Sequence, residues 1–352
     1  MRKALLVALI TALAWGGAAA LAQEPPPPTG TISGRIVNGT PDGPLPTGLS
    51  VQLGEMVGTI LRPVATASGA DDGGFTFQDV PADPTKIYVV AAEYAGVTYE
   101  SGPLQFADAQ AEATTEVRVY ETTEAKNAVS IEFQHMIVEP DSASGRLIIS
   151  ETVRVANSGD RTYVGQEPKH EGMASGVVKF TLPEGAHGLE LYNGITQDDV
   201  VADEFGGFFD TRPLPPGSRE VAFGYGLPYQ GDSAAFRRVL DYPTTKTVVL
   251  VRSAQPPESP VFPAWEARDL QLTNGQTATY FQSQVEGLTP ATPLEITFRG
   301  LPPPPPPVSD EGARKLSLFL GALGLAAALG LIVYALSRRR GAPAWSRERT
   351  EV

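Results

Sequence analysis

The apolar run Leu316–Leu336, LSLFLGALGLAAALGLIVYAL, carries no charged residue, and Arg338, Arg339 and Arg340 follow it almost at once. At helical rise such a run reaches about 30 Å, the hydrocarbon thickness of a bilayer. The sequence therefore predicts a transmembrane helix over 315–337 and a basic tail over 338–352. Arg338–Arg340, Arg347 and Arg349 outweigh Arg314 and Lys315 on the other flank, which places the tail in the cytoplasm. Everything before the run is then expected outside.

The opposite end agrees with this topology. Arg2 and Lys3 precede an apolar stretch, Ala4–Trp15, which passes into small residues and the Ala20-Leu21-Ala22 pattern. This is the pattern of a secretory signal peptide over 1–22, cut after Ala22; an uncut first helix is the alternative. Between the two address signals, residues 23–313 hold 38 acidic and 18 basic side chains, a net charge of −20 against −13 for the whole chain. Nucleic acid is excluded as a partner, because its phosphates would be repelled. There is no cysteine, so an exported chain of this kind must fold on burial alone, and thiol chemistry and cysteine metal sites are ruled out.

Two proline runs punctuate the chain. Pro25–Pro28 lies in a short linker over 23–28, and Pro302–Pro307 lies in a stretch over 301–314 between the last strand-like segment and the apolar run. The second run predicts a stiff stalk of about 20 Å at polyproline rise. A proline-rich ligand is the alternative for it.

Between the linkers the pattern is that of strands and turns. Over 29–121, Thr31–Val37 and Leu49–Leu53 alternate with period two. Asp71-Asp72-Gly73-Gly74 turns into Phe75-Thr76-Phe77, Val80-Pro81 breaks that strand, and Ile87–Ala92, Val97–Tyr99 and Glu116–Tyr120 follow. Over 124–300, Val129–Val138 and Arg146–Ala156 are strand-like, and so are Gly176–Thr181, Lys246–Val251, Asp269–Leu272, Thr277–Phe281 and Leu294–Phe298. Arg219–Tyr229 is expected to pair with Ala235–Tyr242 across Gln230–Ser233. The expected fold is all-β: tandem antiparallel sandwiches of immunoglobulin or transthyretin type, the second region forming one large sandwich or two small ones, followed by one C-terminal transmembrane helix.

Gly34-Arg35-Ile36-Val37, Val51-Gln52-Leu53, Asp72-Gly73-Gly74-Phe75-Thr76-Phe77, Val80-Pro81 and Tyr88-Val89-Val90 together resemble the carboxypeptidase regulatory-like domain family. That resemblance covers roughly 90 residues and implies a transthyretin-like sandwich, grouped with carbohydrate-binding-like folds. Two departures stand out. Pro84-Thr85-Lys86 replaces the usual glycine before the tyrosine strand, and Leu53–Thr66 is longer than a minimal hairpin requires. The second region resembles the membrane-proximal part of other single-pass bacterial envelope proteins.

Candidate chemical groups are sparse. His187-Gly188-Leu189-Glu190 has the H-x-x-E spacing of zinc carboxypeptidases, but no histidine follows it to supply the third ligand. Asp198, Asp199, Asp203 and Glu204 are acidic without calcium-loop spacing, and Asp71-Asp72 reads as a turn. Leu45-Pro46-Thr47-Gly48 lacks the residue that would make it a wall-sorting signal, and Asn38-Gly39-Thr40 fits a glycosylation sequon as well as a turn. Tyr88, Tyr94, Tyr99, Tyr225, Tyr229, Tyr242 and Trp265 could form a sugar-binding platform or a core. Ala322, Ala326 and Gly330 put small residues on one face of the expected membrane helix, a candidate helix–helix interface.

These features lead us to expect no catalytic residue, no cofactor and no metal. The expected role is that of a membrane-anchored extracytoplasmic binding, scaffolding or assembly component of the bacterial envelope. Its partners would be the lipid bilayer and an envelope or membrane protein, or a polysaccharide. A surface carbohydrate-binding protein and a carboxylate-pair hydrolase are the alternatives.

Overall fold

The computed structural model describes residues 28–304 except 59, 108–110, 166–174, 205 and 273–274. The expected signal peptide and most of the stalk, the helix with Ala322, Ala326 and Gly330, and the tail with Arg338, Arg339 and Arg340 lie outside the described residues. Among those described, the architecture is all-β with two short 3-10 turns. The first strands are Thr29–Asn38 (β1), Ser50–Val57 (β2), Ile60–Ser68 (β3), Gly74–Pro81 (β4), Ile87–Tyr94 (β5), Val97–Glu100 (β6), Glu112–Val119 (β7) and Thr122–Thr123 (β8). They are followed by Val129–Asp141 (β9), Arg146–Asn157 (β10), Thr162–Tyr163 (β11), Val178–Thr181 (β12), His187–Tyr192 (β13), Val200–Ala202 (β14) and Gly207–Asp210 (β15). The last are Gly217–Pro228 (β16), Ser233–Arg238 (β17), Thr244–Val251 (β18), Glu266–Gln271 (β19), Thr277–Leu288 (β20) and Leu294–Arg299 (β21).

Two compact units emerge. Among the described residues, the first comprises 28–36, 47–92 and 100–117, and the second 37–46, 93–99 and those from 118 to 304. The strands up to β7 form two sheets, ordered β4-β1-β7 and β3-β2-β5-β6. Period-two alternation decides which side chains are buried: Ile32 and Ile36 on β1, Val51 and Leu53 on β2, Phe75 and Phe77 on β4, Tyr88 and Val90 on β5. Tyr88 donates its hydroxyl to the Pro81 carbonyl at 2.8 Å, so its buried polar end is satisfied.

The second unit is built on a seven-stranded sheet ordered β13-β16-β10-β9-β18-β20-β19. One pair within it, β18 with β9, is parallel, so the sheet is mixed and not purely antiparallel as the sequence suggested. Its inner face contributes Met136 and Val138, Leu147, Ile149, Val153 and Val155, and Val249 and Val251 to one core, which Phe236, Leu294, Ile296 and Phe298 of the β17–β21 pair also join. The expected hairpin between Arg219–Tyr229 and Ala235–Tyr242 does not form. Both edges of β16 are occupied by β10 and β13, and β17 pairs with β21 instead.

Candidate functional site

Most groups singled out in the sequence serve the fold. His187 is exposed with Nδ1 3.1 Å from the Gly185 carbonyl, while Glu190, beyond a register shift in the strand, accepts the Tyr192 hydroxyl at 2.5 Å. Among the described residues no group of three or more histidine or carboxylate side chains is placed to hold a metal. Asp199 closes a capping box with Thr196, and Asp203 lies 2.9 Å from Lys179, which leaves Asp198 and Glu204 exposed on their own. Asp72 accepts the Gly74 amide at 2.9 Å and faces Arg35 at 3.2 Å; the backbone bond, with Arg35 beside it, holds its carboxyl below the usual range.

The sequon is likewise occupied. The Asn38 amide donates to the Pro44 carbonyl and to Glu121, each at 3.0 Å, and Thr40 donates to the Asp160 carbonyl at 2.9 Å. These bonds tie down the Asn38 nitrogen that a glycan would need. Of the proposed sugar platform, Tyr88, Tyr99, Tyr225, Tyr229 and Tyr242 are buried. Tyr94 bonds Glu121, and Trp265 packs on the main core beside Phe262. These seven rings are structural, so no stacking face for a sugar arises from them.

Sequence reasoning missed the most polar part of the core. Glu151 on β10 is fully buried and accepts Gln134 Nε2 at 2.8 Å, the Tyr225 hydroxyl at 2.7 Å and the Arg238 guanidinium. Thr247 on β18 extends the chain to Gln134 at 3.3 Å. Burial alone would lower the Arg238 pKa, but the adjacent Glu151 carboxylate reverses that and raises it, so the guanidinium stays charged. Burial drives the Tyr225 pKa far up, with the Glu151 charge adding to the effect, so the hydroxyl remains a donor. The network therefore joins β9, β10, β16 and β18 of the large sheet to the end of β17. Each member is engaged by its neighbours, and the arrangement is a staple for two sheets.

The surface holds a different signal. Among the described residues, the large apolar side chains that stand well exposed are Leu45, Met56, Val57, Ile60, Val64 and Val239, and four of these six belong to the hairpin of β2 and β3. Val57 is 51% exposed and Ile60 70%. The pair Val57↔Ile60 closes the hairpin around Gly58 at φ +65°, a conformation that suits glycine. It projects past Met56↔Ile87, the last pairing of β2 with β5. Alternation puts Met56 and its neighbour Leu61 on one face of the ribbon and Val57 and Ile60 on the other.

The base of this hairpin is fixed by the two departures noted in the sequence. Leu53–Thr66 supplies the hairpin, and Lys86 from the Pro84-Thr85-Lys86 segment approaches Glu55 within it at 3.2 Å. Arg62, across the ribbon, bonds the same carboxylate at 2.5 Å. The Arg62 bond and then that of Lys86 outweigh partial burial and lower the Glu55 pKa. On the opposite face Leu61 lies over Gly54, where an added Cβ would sit 2.5 Å from the leucine side chain. A satisfied ionic cluster at the base and unsatisfied apolar side chains at the end make a presented surface.

Comparison with known proteins adds little to these observations. No protein-family model matches the chain, and no curated relative does. Among solved structures, the chain aligns with the full-length major pilin SpaD from Corynebacterium diphtheriae at 10% identity, over 78% of this chain and 88% of that one, with a TM-score of 0.19. It aligns with a variant of BcpA, the major pilin subunit of Bacillus cereus, at 9% identity over 74% and 85%, with a TM-score of 0.18. Scores this low carry no argument about fold or function.

Proposed function

We propose that this chain is a non-catalytic, extracytoplasmic binding and scaffolding component of the bacterial cell envelope, tethered to the cytoplasmic membrane by 315–337. The N-terminal region is read as a transthyretin-type sandwich of the carboxypeptidase regulatory-like kind, and 124–300 as a larger immunoglobulin-like sandwich. Ala322, Ala326 and Gly330 would offer a close-packing face to another helix, and Arg338, Arg339 and Arg340 would fix the orientation. The observation that carries the reading is the concentration of exposed apolar side chains on one hairpin, in an ectodomain whose named aromatics are otherwise spent on cores. Singly exposed apolar side chains are ordinary, but four gathered on one hairpin are the pattern of an interaction surface.

Two measurements in cells test it. The full chain should resist extraction of membranes by carbonate, and a chain ended after Pro304 should be released. A photoreactive residue in place of Ile60 should form adducts in intact cells, whereas one in place of the exposed Thr66, further back on β3, should not. Equal yields at the two positions would contradict a binding role for the hairpin.

A further inference from the structure

We propose that the end of the β2–β3 hairpin inserts into a bilayer surface, with Met56, Val57 and Ile60 entering the acyl boundary and Arg62 and Lys86 at headgroup level. This rests on the binding role proposed above and names its partner. The first argument is shape. Met56 projects from one face of the ribbon and Val57 and Ile60 from the other, at an end that projects past the last pairing with β5. A protein groove covers one face of a ribbon, whereas a fluid apolar medium takes up a tip from every side.

Depth is the second argument. Arg62 lies two residues behind Ile60, about 7 Å at strand rise. Interfacial elements sink their apolar side chains about 5–10 Å into the headgroup and acyl boundary, so the Arg62 guanidinium would come to rest among phosphates while its stem stays in apolar surroundings. Lys86 precedes Ile87 and so stands level with Val57, and its ammonium reaches headgroup height by turning back to Glu55.

Charge is the third. Residues 23–313 carry a net −20, and an anionic membrane surface repels most of such a molecule. Around the hairpin the charges cancel: Arg62 and Lys86 face Glu55, and Lys86 also interacts with Asp83. The hairpin is thus a neutral, apolar point on an acidic body. Strand addition by a protein partner is opposed at this edge, because Pro63 lacks an amide hydrogen and the register shift at Val64 interrupts the ladder.

The absence of native cysteine makes the test direct. Full-length chain carrying Ile60→Cys, Met56→Cys or Thr66→Cys, each labelled with the same small fluorophore, would be reconstituted into vesicles of phosphatidylethanolamine and phosphatidylglycerol containing nitroxide-labelled acyl chains. Insertion predicts strong quenching at positions 56 and 60 and little at 66. Adding Val57→Asp should lower the inserted fraction roughly tenfold or more. Equal quenching at all three positions, or none, overturns the proposal. If quenching is absent while the photoreactive residue at position 60 captures a protein in cells, the bilayer is the wrong partner and the binding role stands. If both signals are absent, both fall.

Discussion

Arg238 and Glu151 form an ion pair inside the core of the second unit, with only 4% of the arginine side chain exposed and none of the glutamate. They stand 87 positions apart in the chain, and the pair closes the β17–β21 strands against the large sheet. Removing one partner strands a buried charge, which costs about 3–5 kcal/mol, whereas replacing both with apolar groups of similar volume is close to neutral. We expect Arg238→Met alone to lower unfolding stability by about that amount and Arg238→Met with Glu151→Gln, which removes the stranded charge but keeps an acceptor for Tyr225 and Gln134, to recover most of the loss, as read by urea denaturation of the full chain in detergent. Additive losses in the double variant would show that the two residues act independently.

His135 supplies a pH response of the fold. It is buried on β9, its ring stacked at 6.3 Å on Phe133, and desolvation lowers its pKa to about 4. The unfolded chain, with an ordinary value near 6.5, binds the proton more readily than the native one. Stability from this group is therefore complete above about pH 6.5 and declines as pH falls toward 4, by up to about 3 kcal/mol. The paired carboxylates Glu55, Asp72, Asp83 and Glu121, all shifted down, act below their own ordinary range and leave the upper part of this window to His135. His135→Phe should flatten the change in melting temperature between pH 6.5 and 5; an unchanged slope would remove His135 as its source.

The turn between β5 and β6 contains a local strain. Ala95 sits at φ +50° and is followed by Gly96 at φ +76°, so a residue with a Cβ occupies a left-handed position. That conformation costs about 1–2 kcal/mol for a non-glycine residue, and glycine loses about 0.5–1 kcal/mol more entropy on folding. Ala95→Gly should therefore stabilise the chain by up to about 1 kcal/mol, and Ala95→Val should destabilise it. The opposite order in chemical denaturation would contradict this account of the turn.

Legibility from sequence follows the type of interaction. Val129–Val138 and Arg146–Ala156 are legible as strands, a few residues short of β9 and β10, because one buried face imposes alternation on the residues themselves. β3 was hidden because Pro63 and the irregularity at Val64 break that alternation in a segment exposed along most of its length. The pairing of β17 with β21 was missed because the strands lie 50 or more residues apart and a nearer partner, Arg219–Tyr229, looked suitable. Glu151, Gln134 and Arg238 gave no signal, since each is an ordinary polar residue until three strands bring them together. The hairpin is half legible: the extra length of Leu53–Thr66 and the Pro84-Thr85-Lys86 segment stand out in the sequence, but only the fold shows that both converge on Glu55.

The central claim is that Met56, Val57 and Ile60 are covered when the protein is at work. The most direct measurement is iodide quenching of a fluorophore on Ile60→Cys against one on Thr66→Cys, in the full chain within native membranes. The account predicts that position 60 is shielded several-fold relative to 66 and that Val57→Asp removes the shielding. Equal iodide access at the two positions in those membranes would contradict it.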